Sequence, residues 1–307
     1  MNKLEDKKIM RLSEAGLLGT ALIWGFAFVI VKNSVDSVPP VYMLAFRFTI
    51  AALGLMIIFA RRLKNISRRD LRCGAFLGIF LFLSYFFQTV GIQYTTAGKN
   101  AFLTTVYVVI VPFLHWLINR KKPDKYCVCA AFLAVVGIGL LSLNGDLSMN
   151  VGDVLTLICG LGYALHMIFI DRYARTQDPV LLTVVQIAVA ALLSWLLAPA
   201  MDGGFPMGAL APDMITGMLY LGLGSTMLAF LLQNVCQKYT NPSTTSLLLS
   251  MESVFGALFS ILFLGEWMSG RMVVGCVLIF IAITMAETKF DFIKKRGKEY
   301  GRSENAA

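Results

Sequence analysis

The sequence predicts an all-α integral membrane protein of ten transmembrane helices, arranged as two inverted five-helix repeats with both termini in the cytoplasm. Three observations lead there. Of 307 residues, 57% are hydrophobic and 15% charged, with a mean hydropathy of +0.72, far from the balance of a soluble domain. Apolar stretches long enough to cross about 30 Å of hydrocarbon, roughly 20 helical residues each, recur from end to end. The two halves also correspond at a fixed offset of 145 residues.

The spans follow in order. The charged start MNKLEDKKIMRLSEAG runs into an apolar span over 15–33, with no small-residue cleavage site before the turn at Ser34 to Pro40, so this span is expected to be retained. The second, 41–60, closes on the basic run Arg61 to Arg72, and the third follows over 72–93. The fourth, 99–119, ends at Arg120 to Lys122, and the fifth covers 127–144. The sixth to tenth lie at 152–171, 181–200, 214–234, 242–264 and 271–288. Every connection is too short for a soluble domain; even the longest, Asp202 to Asp213, is a Gly/Pro/Asp turn cluster. The units expected are residues 1–146, residues 147–289 and a basic cytoplasmic tail, 290–307.

In a soluble protein a net charge of +9 points to nucleic acid; here its distribution sets topology, and no nucleic-acid partner is expected. With the N-terminus inside, the cytoplasmic side collects nearly all of the 27 basic residues. The outer side receives only Lys32, Lys99 and Arg271, while Arg47 lies within a span. The positive-inside rule then places both termini in the cytoplasm. The six cysteines fall in spans or at their cytoplasmic ends, where a disulfide is disfavoured. Cys127 and Cys129, two apart on a helix, face different ways, so neither a metal site nor a cofactor is expected.

Shifted by 145, YTTAGKNAFLTTVYVVIVPFLHWLINRKKP lies without a gap over YTNPSTTSLLLSMESVFGALFSILFLGEWM, and Gln88 falls on Gln233. Five spans per half is an odd number, so the second half must sit inverted. Inverted repeats are the architecture of secondary transporters, whose substrate site lies near the midplane between the halves.

The order of several segments resembles the EamA branch of the drug/metabolite transporter superfamily across nearly the whole chain. In the second half these are GLGSTMLAFLLQ (222–233), LLLSMESVFGALFSILFLGE (247–266) and GCVLIF (275–280). In the first they are WGFAFVIVK (24–32), FRFTIAAL (46–53) and the Tyr107 to Pro112 stretch. The resemblance implies a ten-helix transporter of amino acids, other metabolites or drugs in the bacterial cytoplasmic membrane, with export the commoner direction. Two departures stand out. Ser253 replaces the proline common after the ninth-helix Glu, so any bend must come from Gly256 or neighbours. The Gly265–Glu266 pair has no counterpart in the first half, where Asn119 to Lys122 stand.

Glu252 is the only acidic residue deep in any span, about 15 Å from each interface at 1.5 Å per residue. A carboxylate there costs roughly 2.5–3.5 kcal/mol on insertion scales. It is either a cavity group that binds a cation or proton, or a structural carboxyl that hydrogen-bonds across helices. Arg47 is about 9 Å deep and free to snorkel; anchoring of the second helix is the expected role, with a Glu252 pair as the alternative. His166 and His115 stand toward cytoplasmic ends. Gln88, Ser225, Thr226, Gln233 and Ser250 are further polar candidates. Asn100, Thr104 and Tyr107 share an i, i+4, i+7 face, and Tyr107 occupies the repeat position of Glu252. Trp24 and Tyr163, roughly matched across the halves, are the favoured aromatics for an organic substrate. Gly74 with Gly78, and Ala130 with Ala134, read as small-residue helix contacts.

The preferred function is secondary transport of a small-molecule substrate within the lipid bilayer by alternating access. No GxxxxGK[ST] sequence or soluble domain offers a nucleotide site. An intramembrane enzyme is disfavoured because HExxH, GxSxG and a His/Asp cluster at shared depth are all missing. A structural or receptor-like subunit would need exposed interaction segments, for which only the basic tails offer themselves. A homo-oligomer is left open.

Overall fold

The computed structural model describes residues 3–120, 122–123, 125–142, 149–174, 176–240 and 242–288. The basic tail expected over 290–307 lies outside the described residues. The chain runs through α1 (Lys3–Ser34), α2 (Pro40–Ile58), the short α3 (Ala60–Leu63), α4 (Arg68–Gln93), α5 (Ala97–Thr104), α6 (Tyr107–Asn119) and α7 (Lys125–Ser142). It continues through α8 (Val151–Ala174), α9 (Pro179–Met201), α10 (Pro212–Leu219), α11 (Ala229–Gln237), α12 (Pro242–Leu264) and α13 (Gly270–Thr288). Among the described residues, seven helical stretches are long and apolar enough to cross a membrane, and three shorter apolar ones accompany them: Val128–Leu141, Leu248–Leu264 and Gly270–Met285. The outer surface is apolar too, with Ile57, Leu117, Phe132, Val135, Leu196 and Leu262 exposed. That exterior suits lipid and makes this a multi-pass membrane protein.

Two expected spans depart from single α-helices. The fourth breaks at Thr105 and Val106, between α5 and α6. Thr105 Oγ1 donates to the Phe102 carbonyl (2.9 Å), competing with the helical ladder, and Pro112 cannot donate the bond that would close back on Val108. The eighth widens into a π-helix over Tyr220–Leu228, between α10 and α11. Its Gly222 lies so close to α2 that an added Cβ would stand 2.7 Å from Ile50 Cβ. Thr226 Oγ1 donates to the Leu221 carbonyl five residues back (2.7 Å). Such wide turns recur at functional sites. α12 runs unbroken past Ser253, whose hydroxyl donates to the Ser250 carbonyl (2.8 Å).

α1 packs on α12, α7 on α13, α4 on both α8 and α9, and α2 on α9; α5 lies between α8 and α12. Small residues permit these approaches. Added Cβ atoms on Gly74 and Gly78 would stand 2.5 Å from Val185 Cβ and 2.7 Å from the Gln186 carbonyl, so α4 rests directly on α9. Ala130 and Ala134 are buried on α7. Gly78→Leu is therefore expected to lower the melting temperature of detergent-purified protein through about 1–3 kcal/mol of overpacking. Gly19→Ala, with nothing within 4 Å of its added Cβ, should leave it unchanged or slightly raised. Equal behaviour of the two variants would contradict this packing.

One end of the bundle is tied by polar contacts, most of them between the halves. The Val41 and Tyr42 N–H groups donate to Asp202 Oδ2 (2.7 and 3.0 Å), so a carboxylate from the end of α9 caps the start of α2. Ala97 and Gly98 N–H groups donate to Glu266 Oε1 and Oε2 (2.7 and 3.0 Å), capping α5 in the same way. Both place negative charge where free N–H groups cluster. Lys32 Nζ donates to the carbonyls of Ile92 and Thr95, each at 2.8 Å. Lys99 Nζ pairs with the fully buried Asp153 at 2.6 Å, and Thr95 Oγ1 donates to its other oxygen, also at 2.6 Å.

Candidate functional site

Where α1, α2, α4, α5, α6, α8, α11, α12 and the π-helix converge lies a narrow cavity of about 50 Å³. Its wall includes Trp24, Arg47, Tyr85, Gln88, Asn100, Tyr107, Tyr163, His166, Ser225, Phe230, Gln233 and Glu252. Ten of the residues named from the sequence, Trp24, Arg47, Gln88, Asn100, Tyr107, Tyr163, His166, Ser225, Gln233 and Glu252, are thus brought together. Thr104 is not among them: it is buried behind the wall, where its hydroxyl accepts from Gln88 Nε2 (3.1 Å). The break after α5 falls between Thr104 and Tyr107, while Asn100 and Thr104 stay on one helix. Ser250 and Thr226 are buried but do not line the cavity. The side chain of His115 lies outside the described residues.

Glu252 is 5% exposed, and Tyr107 Oη donates to its Oε1 at 3.4 Å. These are the two residues matched by the 145-residue offset, so equivalent positions of the two halves meet. Gln88 and Gln233, also matched, line the same cavity, as do Trp24 and Tyr163.

Arg47 does not snorkel. It is 2% exposed; Nε donates to Thr226 Oγ1 and Nη2 to Ser225 Oγ, each at 3.0 Å. Its guanidinium carbon sits 4.4 Å from the Tyr85 ring centroid. No Arg47–Glu252 ion pair forms among the described residues. Arg47 thus ties α2 to the π-helix, whose Ser225 and Thr226 satisfy the side chain, and it also forms part of the cavity wall.

Aromatic rings line much of the cavity. Trp24 stands 5.2 Å from Phe230, Phe230 6.0 Å from Tyr85, Tyr85 5.6 Å from Tyr163, and Tyr163 6.4 Å from Tyr107. Trp24 Nε1 donates to the Ser225 carbonyl (2.9 Å). Asn100 Nδ2 donates to Thr156 Oγ1 (2.8 Å) and the Gln88 carbonyl (3.3 Å). His166 Nε2 lies 2.8 Å from Gln186 Oε1, buried within the bundle. The sequence reading missed Phe230 and Met167 in the wall, as well as Asp153 and Glu266 at the tied end. Asp153 sits one residue inside its expected span, and Glu266 follows the ninth; an acid at a span end draws no notice by depth alone.

A lipid-compatible helical bundle around a small cavity that holds an acid, a base and an aromatic wall defines a membrane transporter. The family comparison makes this specific: the profile described as the EamA-like transporter family matches residues 12–143 and again 150–288, and the chain belongs to that family. An uncharacterised transporter of Archaeoglobus fulgidus is 35% identical over 277 residues, covering 90% of this chain and 86% of its own length. A Salmonella typhimurium protein named "Probable amino-acid metabolite efflux pump" is 25% identical, with 85% and 90% covered. A solved crystal structure superposes with a TM-score of 0.66 at 18% identity, covering 89% of this chain and 96% of the other, and so shares the fold. The chain is a transporter, not an enzyme.

Proposed function

We propose that this protein is a secondary transporter of small organic solutes, amino acids, metabolites or drugs, exporting them across the cytoplasmic membrane by alternating access. Ten spans form two inverted five-helix repeats, residues 1–146 and 147–289, which rock around the cavity with both termini in the cytoplasm. The observation that carries the reading is Glu252, a carboxyl buried at mid-span in the cavity wall and bonded to Tyr107, its repeat mate.

Other features support it. The family match falls on two consecutive segments of similar length. Helix pairings are kept when the halves are exchanged: α1 on α12 answers to α8 on α5 and α6, and α4 on α8 and α9 answers to the 212–237 stretch on α1 and α2. The relative's name supports amino-acid-related solutes and efflux as the first to try. With cytoplasmic termini, the end tied by Asp202, Glu266, Lys32 and the Lys99–Asp153 pair is the outer one, and these contacts support a state closed on that side.

Protein reconstituted in liposomes with an internal pH dye tests this. Addition of amino acids and small organic cations is expected to produce substrate-driven proton movement or labelled-solute exchange above that of protein-free liposomes. A panel that moves no faster with the protein than without it, by either readout, counts against the reading.

A further inference from the structure

We propose that Arg47 is the anion receptor of the cavity and that the transported solute presents a carboxylate to it. This rests on the transporter reading and names its substrate class.

A guanidinium removed from water needs compensation, and a buried cation without a counter-ion is among the costliest features a fold can carry. Arg47 lies in the wall at 2% exposure, yet its partners are two neutral hydroxyls and a ring face. No carboxylate lies within 4.0 Å of it among the described residues; the ion pairs there are Arg62–Asp178 and Lys99–Asp153. Were its role only to join α2 to the π-helix, a neutral side chain of similar volume would do so without the charge.

The way it is held points to a ligand. Thr226 and Ser225 engage two of the five N–H donors, through Nε and Nη2. Tyr85 covers one face of the group. An incoming anion is then best received in the guanidinium plane, along the edge that includes Nη1, where a carboxylate makes a two-point contact. The holding residues are themselves fixed: Thr226 Oγ1 by the Leu221 carbonyl across the wide turn, and Ser225 through its carbonyl by Trp24 Nε1. Such support is what a preorganised site requires. Glu252 lines the same cavity without pairing with Arg47, so the wall offers a guanidinium and a separate carboxyl with aromatic rings between. A small organic carboxylate whose other end is cationic or apolar satisfies all three.

The probes are leucine and phenylalanine, compared with leucinamide and phenylalaninamide, which keep the amine and side chain but lack the carboxylate. Thermal stabilisation of purified protein reads binding, and liposome exchange reads transport. Wild type is expected to be stabilised by at least one free amino acid and not by its amide. Arg47→Met, judged folded by monodisperse elution, should weaken that binding on the order of 10-fold or more, the loss expected for a charged hydrogen-bond pair. Arg47→Lys should recover part of it, because the charge remains but the fork does not. Should Arg47→Met not fold, Ser225→Ala keeps the charge and is expected to weaken carboxylate binding several-fold at an unaltered preference order. Amides that stabilise wild type as well as the free acids, no stabilisation by either acid, or a folded Arg47→Met that retains the preference would each overturn the proposal. Carboxylate binding that depends on Arg47 without any exchange in liposomes would leave the anion site standing and remove the transport reading. Exchange of amides through wild type would do the reverse.

Discussion

Glu252→Gln is expected to abolish coupled transport while leaving the protein folded. The two side chains have nearly the same shape, and an amide oxygen still accepts the Tyr107 hydroxyl bond at the position where Oε1 now stands, 3.4 Å away. What disappears is the ability to carry a negative charge or release a proton at the centre of the bundle. A structural carboxyl that works only through neutral hydrogen bonds would tolerate the change, because an amide is cheaper to bury than a carboxylate. A binding or coupling carboxylate would not. Loss of one charged contact worth about 3 kcal/mol lowers flux by roughly 100-fold. The measurement is substrate-driven proton movement in liposomes, with monodisperse elution confirming a folded variant. Tyr107→Phe removes the long hydrogen bond to Glu252 and should reduce transport by no more than a few-fold. If Glu252→Gln transports and couples like wild type, the carboxyl is a packing group, and the site must be sought around Asn100, Tyr107 and Tyr163.

Lys99→Met should be the most destabilising single charge removal. Asp153 is 0% exposed at its side chain and Lys99 14%, and they meet at 2.6 Å. Without the ammonium, a buried carboxylate is left with Thr95 as its remaining side-chain partner, a situation that costs about 3–5 kcal/mol. The double variant Lys99→Met/Asp153→Asn removes both charges and should regain most of that stability, since an amide can still accept from Thr95. By contrast, Arg62 and Asp178 are 56% and 37% exposed, so Arg62→Ala should cost less than about 1 kcal/mol. Thermal unfolding of the four proteins in one detergent separates these outcomes. If Lys99→Met melts with wild type, water rather than lysine compensates Asp153, and the tied end is weaker than its geometry suggests. The double variant also removes one of four polar ties at that end, so accessibility of cysteines introduced beside Lys32 should rise relative to wild type.

Much of the helical layout was legible because hydropathy is a property of neighbours along the chain. A run of apolar residues long enough for the bilayer declares itself whatever lies beside it, and α1, α2, α4, α8 and α9 fall where the apolar runs do. The meeting of Tyr107 with Glu252 was legible for a different reason: the fixed offset of 145 residues matches the two positions along the chain, and the structure brings them into contact. The same logic placed Gln88 and Gln233 in one cavity. Irregular backbone was not legible in this way. The break after Thr104 and the π-helix over Tyr220–Leu228 depend on a side-chain bond back to the backbone and on a close approach to α2, which no hydropathy window registers.

By itself, then, the sequence determined that the protein is an apolar helical bundle of the EamA-like transporter family with one carboxyl at mid-depth, because length, hydropathy and segment order lie along the chain. Only the tertiary structure decided what the charges touch. Arg47 reaches Ser225 and Thr226 across 178 and 179 residues rather than snorkelling, Thr104 falls behind the cavity wall, and Asp153 is buried against Lys99. The cost of a buried charge depends on the groups packed around it, and those neighbours are set by which helices adjoin.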